Sequence, residues 1–140
     1  MVIVILGILA AVAIPRFFSQ QTFVARGFYD QSISAVRYAQ KVAIAQHRNV
    51  FVNISADVIC LTYAADANCT DQTAANHVLN PADQQWFRLN APTGVSFTSS
   101  DSFSFSPLGS PSTAATMAVG VSGDGIIRTI TIERETGYVH

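Results

Sequence analysis

The stretch MVIVILGILAAVAI, residues 1–14, decides the fold, because it contains no charged and no polar side chain. As an α-helix it would be about 21 Å long at about 1.5 Å per residue. A bilayer core is about 30 Å thick and needs roughly 20 residues, so the stretch as written is short for a membrane crossing. A signal-peptide core has this length, but a basic region before it and a clear small-residue cleavage site after it are missing.

Two other interpretations of residues 1–14 stay open at this point. One is a helix buried in the core of the protein. The other is a membrane anchor whose first residues precede Met1. The second is favoured, because a chain that starts inside its own apolar run is expected to be truncated.

A helical pattern continues beyond this stretch. Pro15 follows it directly and is expected to kink or interrupt a helix there. We therefore predict one long helix from residue 1 to about residue 48, with an apolar first part (residues 1–15) and an amphipathic second part (residues 16–48). The apolar stripe of the second part repeats at three- and four-residue spacing and consists of Phe28, Ser32, Ala35, Val36, Ala39, Val42 and Ala43.

The composition changes at Asn49, where period-two alternation typical of strands begins. The sequence Ser-Gly-Asp-Gly, residues 122–125, is a hairpin signal between two of the strands. Residues 66–80 are polar and predicted to form a loop. The fold class is thus predicted to be α+β, with a long N-terminal helix packed on an antiparallel β head (residues 49–140) and a single globular domain over residues 16–140. The predicted strands cover residues 50–54, 58–63, 86–89, 94–98, 102–106, 115–121 and 126–133, with a last short strand at 137–140.

Charge is sparse and unevenly divided. Apolar residues make up 49 % of the chain and charged residues 12 %, which excludes an intrinsically disordered protein. Residues 1–48 hold five basic residues and one acidic residue, whereas residues 49–140 hold three basic and eight acidic residues. With a net charge of −1 the chain is not an evident nucleic-acid binder. A basic flank after an anchor would by itself favour a cytoplasmic flank.

The two cysteines favour a location outside the cytoplasm instead. Cys60 and Cys69 are separated by eight residues, and we expect them to form a disulfide that closes a surface loop in an oxidising compartment. The alternative is two free thiols. Their spacing matches no zinc pattern and no histidine lies near, so a metal site is not expected.

No residue suggests catalysis. The histidines, His47, His77 and His140, are widely spaced, and no Gly-x-Ser-x-Gly elbow supplies a nucleophile. Glu133 and Glu135 are predicted to share one face of a strand, which is commonly a solvated edge. We expect no catalytic residue, no metal, no cofactor and no enzyme activity.

The stretch MVIVILGILAAVAIPRFF, residues 1–18, closely resembles the N-terminal helix of type IV pilins and type II secretion pseudopilins, and its Gly7 and Pro15 match that pattern. In the family a leader, a cleavage point with its methylation and a glutamate precede this stretch, and all would lie before Met1. The resemblance implies a membrane and filament-core segment formed by Val2, Ile3, Val4, Ile5, Leu6, Gly7, Ile8, Leu9, Val12, Ile14 and Pro15.

Later segments are more specific. SAVRYAQKVAIAQHRNVFV (residues 34–52), SFSFSPLG (102–109) and IIRTITIERETGYVH (126–140) resemble the FimT/GspH-type minor pilins. Residues 15–41 look most like a minor pilin of mannose-sensitive haemagglutinin (MSHA) pili. The resemblance implies an inner-membrane anchor with a periplasmic head, which then enters an extracellular pilus.

The partners implied are other pilin subunits, major and minor, the inner membrane before assembly, and the pilus assembly platform. The function implied is a minor pilin that helps to initiate or cap an MSHA-like pilus used for surface attachment. The alternatives are a type II secretion pseudopilin and a FimT-like minor pilin that binds DNA for uptake. Nucleic acid is not expected as a partner, because Glu133 and Glu135 offset Arg128 and Arg134.

Overall fold

The computed structural model describes residues 2–140, apart from the side chains of residues 8–20. One long helix, α1 (Val2–Gln46), precedes seven strands and one short 3-10 turn (Ala74–Asn76). The backbone stays α-helical through residue 15, so the interruption expected at Pro15 is wrong. A single proline removes only one backbone donor, so the helix can continue past it on the remaining intrahelical hydrogen bonds.

The helix ends two residues before the predicted boundary, in a Schellman motif. His47 has a positive φ of 50°, the left-handed conformation that stops a helix. Its N–H donates to the carbonyl of Ile44 at 3.4 Å, and the N–H of Arg48 donates to the carbonyl of Ala43 at 3.3 Å. These two bonds satisfy carbonyl groups that the end of the helix would otherwise leave without partners.

The predicted helical stripe is confirmed. Its members are all buried, while Arg37, Lys41 and Arg48 on the remaining surface are exposed. The stripe is rich in alanine, which lets the helix axis lie close to the strands beneath it. Ala25 extends the stripe one turn toward the N-terminus and is also fully buried.

The seven strands form two antiparallel sheets. The first has the order β3-β2-β1-β5 and the second the order β4-β6-β7. Helix α1 packs on strands of both sheets, so the core lies between the helix and the two sheets. The bounds are β1 Val50–Ser55, β2 Val58–Thr62, β3 Arg88–Asn90, β4 Val95–Phe97, β5 Asp101–Phe105, β6 Met117–Gly123 and β7 Ile126–Ile132.

The predicted strands thus exist, with shifted ends. The largest shift is in β6, which is displaced by two residues at both ends, and β3 begins at Arg88 rather than at residue 86. The predicted last strand at residues 137–140 is reduced to a bridge between Ile132 and Val139. Beside it, Thr131 and His140 exchange two backbone hydrogen bonds, at 2.7 and 3.0 Å, and these hold the tail on the edge of β7.

Side-chain alternation is followed on most strands but not on all. Phe103 and Phe105 point together into the core, with ring centroids 5.5 Å apart. Ile130 and Ile132 are buried as predicted, whereas Ile126, predicted to share their face, is about half exposed near the hairpin turn. Asn53, which alternates with the apolar residues Val52 and Ile54 along β1, is also fully buried, because the loop that contains Cys69 covers its face of the strand.

The hairpin between β6 and β7 turns at Asp124 and Gly125, both with positive φ, 58° and 70°. Two-residue turns of this type match the twist of the flanking strands. Gly123, the last residue of β6, lies against the helix, and a Cβ atom added to it would be 2.6 Å from the Cβ of Ala25. The hydroxyl of Thr22 donates to the carboxylate of Asp124, which ties the turn to the helix.

Candidate subunit interface

The first turns of α1 carry apolar side chains that nothing in the head covers. Val2, Ile3, Val4, Ile5 and Leu6 are all exposed, Ile3 to 84 %. No atom outside the helix backbone lies within 4 Å of a Cβ placed on Gly7. An exposed apolar surface of this kind marks a contact with another protein or with lipid.

The rest of the expected contact segment cannot be placed in the same way. The side chains of Ile8, Leu9, Val12, Ile14 and Pro15 lie outside the described residues. Assignment of the whole segment to a membrane or filament core therefore stays a prediction.

No helix in the described part of the chain combines the length and the apolarity that a membrane crossing requires.

Exposed apolar side chains are also present on the helix where it reaches the head. Phe23 is 75 % exposed and Val24 is also exposed, although Ala25 beside them is buried against β6. One side of the helix therefore packs on the head at this level while the other side presents an aromatic ring to its surroundings.

Polar contacts fix the second half of α1 to distant parts of the chain. Arg37 donates from Nη2 and Nε to the carbonyl of Val139, at 2.8 and 3.2 Å. Gln40 Nε2 donates to the carbonyls of Gly109 and Thr136, at 2.8 and 3.2 Å. The helix, the turn after β5 and the C-terminal tail therefore meet at one place, and these contacts fix the second half of α1 on the head.

The disulfide between Cys60 and Cys69 is present, as expected, with its Cα atoms 5.9 Å apart. Cys60 lies in the middle of β2, and Cys69 lies in the following loop with a positive φ of 55°. The bond holds that loop against the outer face of the four-stranded sheet. Trp86 packs on the two cysteines and with them forms a small apolar cluster separate from the main core.

A buried polar network lies beside the disulfide. The side-chain amide of Asn53 donates to Thr62 Oγ1 at 2.7 Å, and its oxygen accepts from the hydroxyl of Ser102 at 2.7 Å. The backbone N–H of Asp66 also donates to that oxygen, at 3.4 Å. Sequence reasoning missed this network, because an asparagine at an alternating strand position carries no signal that a remote loop will cover it.

Asp71 organises the loop after the disulfide. Its carboxylate accepts from the side chain of Asn76 and the backbone N–H of Thr73, both at 2.8 Å. These hydrogen bonds, first that of Asn76 and then those of Thr73, lower the pKa of Asp71 below its ordinary value. The carbonyl of Asp71 also lies 2.7 Å from the ring of His77, which stacks on Trp86 with centroids 4.0 Å apart.

Tyr38 forms the link between α1 and the far end of the four-stranded sheet. Its hydroxyl donates to the carbonyl of Leu79 at 2.9 Å, and its ring stacks on Phe87 with centroids 5.4 Å apart. Burial, followed by the neighbouring Tyr63, raises the pKa of Tyr38. The phenol is therefore neutral and acts as a structural donor.

The titratable residues do not converge on one site. His47 ends the helix, His77 stacks on Trp86, and His140 lies 3.4 Å from Glu133. Glu133 and Glu135 do not share a strand face as predicted, because β7 ends at Ile132 and the chain turns after it. Among the described residues, no group of three or more histidine, cysteine, aspartate or glutamate side chains could hold a metal ion.

No model of a protein family matches the sequence, and no curated protein matches it. Two crystal structures of the type IV minor pilin FimU of Pseudomonas aeruginosa (strain PAO1) are similar in structure. The first is 10 % identical, with a TM-score of 0.59 over 87 % of both chains. The second is 11 % identical, with a TM-score of 0.57 over 85 % of this chain and 90 % of that chain. The long N-terminal helix packed on antiparallel sheets is thus a pilin-like α+β fold.

Proposed function

We propose that this chain is a minor pilin of an MSHA-like type IV pilus, most like the MshC-type subunit, which helps to initiate or cap a filament used for surface attachment. The observation that carries the proposal is the bare apolar start of α1, from Val2 to Leu6, projecting from a head that leaves it uncovered. A helix of this kind needs a partner that covers it all round, and copies of the same helix in a filament supply one.

The same segment suits a subunit that is first held in a membrane and then assembled into a filament. In the proposed division, residues 1–15 lie first in the inner membrane and later in the filament core. Residues 16–48 join the segment to the head, and residues 49–140 form the head. Both surroundings are apolar, so hydrophobic burial alone does not drive the transfer. The assembly platform is the proposed source of the work.

The disulfide supports a periplasmic and then extracellular head. Disulfides such as Cys60–Cys69 persist in oxidising compartments and are rare in the cytoplasm. The position of Cys69 in an otherwise irregular loop favours a stabilising role. The titratable side chains are dispersed, and we propose a structural protein without enzyme activity.

A type II secretion pseudopilin is the second candidate, because the same helix and head suit both machines. DNA uptake is less favoured. Arg134 pairs with Glu135 at 3.5 Å, and His140 lies beside Glu133, so acids flank the basic groups of the C-terminal region. A DNA-binding surface needs basic groups that are free to contact phosphates.

Quantitative mass spectrometry of pili sheared from cells tests the proposal. A trace amount of this chain relative to the main pilin, with loss of pili on deletion of its gene, is the expected result. An amount comparable with the main pilin would indicate a bulk subunit instead. Absence from pili, with normal piliation after deletion, would favour the secretion pseudopilin.

A substitution in the apolar segment tests the role of α1 itself. Gly7→Asp places a charge where we propose lipid and then neighbouring helices, and we expect it to abolish incorporation into pili. Gly7→Ala, which keeps the segment apolar, is the matched control and should be incorporated. Normal piliation with Gly7→Asp as the only copy would contradict the proposal.

A further inference from the structure

A groove of about 480 Å³ runs between helix α1 and strand β3. Its floor is apolar, formed by Ala35, Phe87 and Leu89. Asn80 and Pro81 close it at the end where Tyr38 stacks on Phe87. The proposed filament role uses none of these residues.

Strand β3 forms an edge of the four-stranded sheet, and its free side borders this groove. The N–H of Leu61 donates to the carbonyl of Phe87, and the N–H of Ala91 donates to the carbonyl of Asp57. The same register pairs Leu89 with Ile59. In an antiparallel ladder the intervening residues direct their N–H and C=O groups to the other side. Arg88 and Asn90 therefore present unpaired backbone donors and acceptors at the mouth of the groove.

Side-chain directions complete the arrangement. Arg88 and Asn90 are exposed, and Arg88 Nε donates to Asn90 Oδ1 at 3.2 Å on the face away from the helix. Leu89, between them, points to the helix and lines the groove. A strand added to this edge would place the side chain opposite Leu89 into the groove as well, because side chains opposite each other share a face.

The groove has an acidic end. Helix α1 runs antiparallel to the chain through β3, since Tyr38 stacks on Phe87 whereas Gln21, nearer the start of the helix, lies beside Gly94. Asp30 also lines the groove. Asp30 lies eight residues before Tyr38, about 12 Å along the helix. That is level with Ala91, about 13 Å from Phe87 along the strand. Among the described residues, no basic side chain pairs with Asp30.

We propose that this edge binds an extended segment of another polypeptide as an added antiparallel strand. The segment carries an apolar side chain opposite Leu89 and a lysine or arginine two residues before it, facing Asp30. The existing sheet is antiparallel throughout, and antiparallel pairing is the more stable per residue. Strand addition is a common mode of peptide recognition, with backbone bonds giving affinity and alternate side chains giving specificity.

The proposed order of the basic and the apolar residue in the bound segment gives the first test. The full chain in detergent micelles is titrated against two labelled heptapeptides of identical composition, and fluorescence anisotropy is measured. One is acetyl-Thr-Lys-Thr-Leu-Thr-Gln-Thr-amide and the other is acetyl-Thr-Gln-Thr-Leu-Thr-Lys-Thr-amide. We expect the first to bind about threefold more tightly, the range of an exposed ion pair. Equal binding, or no saturable binding, overturns the proposal.

Substitutions on the protein give the second test. Asn90→Pro removes the outward N–H at an edge position that tolerates proline, and Asn90→Ala is the matched control that keeps it. We expect Asn90→Pro to weaken binding about fivefold relative to Asn90→Ala, the range of one backbone hydrogen bond. Asp30→Asn should remove the preference between the peptides. Circular dichroism verifies the fold of each variant.

A second copy of this chain is the competing occupant of the edge. In that case Asn90→Pro would change the sedimentation of the chain itself, and neither peptide would show saturable binding. That outcome overturns the proposal. None of these measurements involves pili, so the peptide site and the filament role succeed or fail separately.

Discussion

The guanidinium of Arg37 donates two hydrogen bonds to the carbonyl oxygen of Val139, a residue 102 positions away in the chain. The tail that contains Val139 is also held on its other side by the exchange of hydrogen bonds between Thr131 and His140. The side chain of Val139 is buried. One helix side chain thus closes the C-terminal tail onto the core, and this makes the tail part of the support for the projecting helix.

Removal of the Arg37 contact should loosen the tail before it affects the rest of the head. We expect Arg37→Ala to lower the free energy of unfolding by about 1.5–3 kcal/mol, the usual contribution of hydrogen bonds to a charged group. Hydrogen exchange should show faster exchange of the amides of Thr131 and His140. Lys41→Ala, an exposed change on the same helix, is the control and should leave both measurements unchanged. Equal exchange rates in the two variants would contradict this role.

The contact of Gly123 with Ala25 sets how closely the helix approaches β6. A Cβ on Gly123 would lie 2.6 Å from the Cβ of Ala25, so one of the two elements must move. We expect Gly123→Ala to destabilise the head by about 1–3 kcal/mol, the usual effect of overpacking. Adding Ala25→Gly should recover part of that loss, because it removes the opposing atom.

Thermal or urea unfolding of the single and double variants measures this coupling. Gly27→Ala is the matched control, because nothing lies within 4 Å of its added Cβ. It replaces a poor helix former and should stabilise the chain by up to about 1 kcal/mol. Additive effects of Gly123→Ala and Ala25→Gly would show that the close contact does not determine the stability.

Local patterns predicted the helix and its buried stripe well, because a period near 3.6 appears in the sequence wherever one face is covered. The strands were predicted from their own period of two, which appears where one face of a strand is covered. The division into two sheets was not, because alternation shows which side of a strand is covered but not which strand lies beside it. Asn53 illustrates the limit: its burial depends on a loop that the disulfide holds over the sheet.

The candidate interface, too, could be predicted from the sequence only in part. Composition favoured an uncovered segment at Val2 to Leu6, because an apolar run at the very start of the sequence was interpreted as an anchor, but it left a helix buried in the core open. The hydrogen bonds from Arg37 to the C-terminal tail could not be predicted from the sequence, because their acceptor is a backbone carbonyl that any residue type would supply. The open side of β3 depends on register, which a three-residue strand does not specify in its sequence.

The disulfide should stabilise the head mainly by restricting the unfolded chain. In the loop-entropy model a loop of this size contributes roughly 2–3 kcal/mol. We expect the double variant Cys60→Ser, Cys69→Ser to unfold at lower urea concentration by an amount corresponding to that energy. Addition of a reductant should lower the stability of the unmodified chain and leave that of the double variant unchanged. An effect of reductant on the double variant would show that the reductant acts elsewhere.

Acidification should release the loop that Asp71 holds. The pKa of Asp71 is lowered in the folded chain, so its contribution to stability is present above the unfolded pKa, near 4, and is lost as the pH falls through the folded value. Asn76 is the largest cause of the shift, and Asn76→Ala should therefore raise the pKa of Asp71 toward its ordinary value. NMR titration of the carboxyl carbon measures this directly.

Protection of the loop amides supplies the second readout for Asp71. In the unmodified chain, the N–H of Thr73, which donates to that carboxylate, should exchange faster as the pH falls below 4 than intrinsic exchange rates predict. Asp71→Asn, whose side chain does not titrate, should show no such acid-dependent step. Asn80, whose amide oxygen accepts a similar turn bond from the N–H of Ala82, does not titrate and provides the control loop, which should show no acid step. An acid step that persists in Asp71→Asn would show that another group controls this loop.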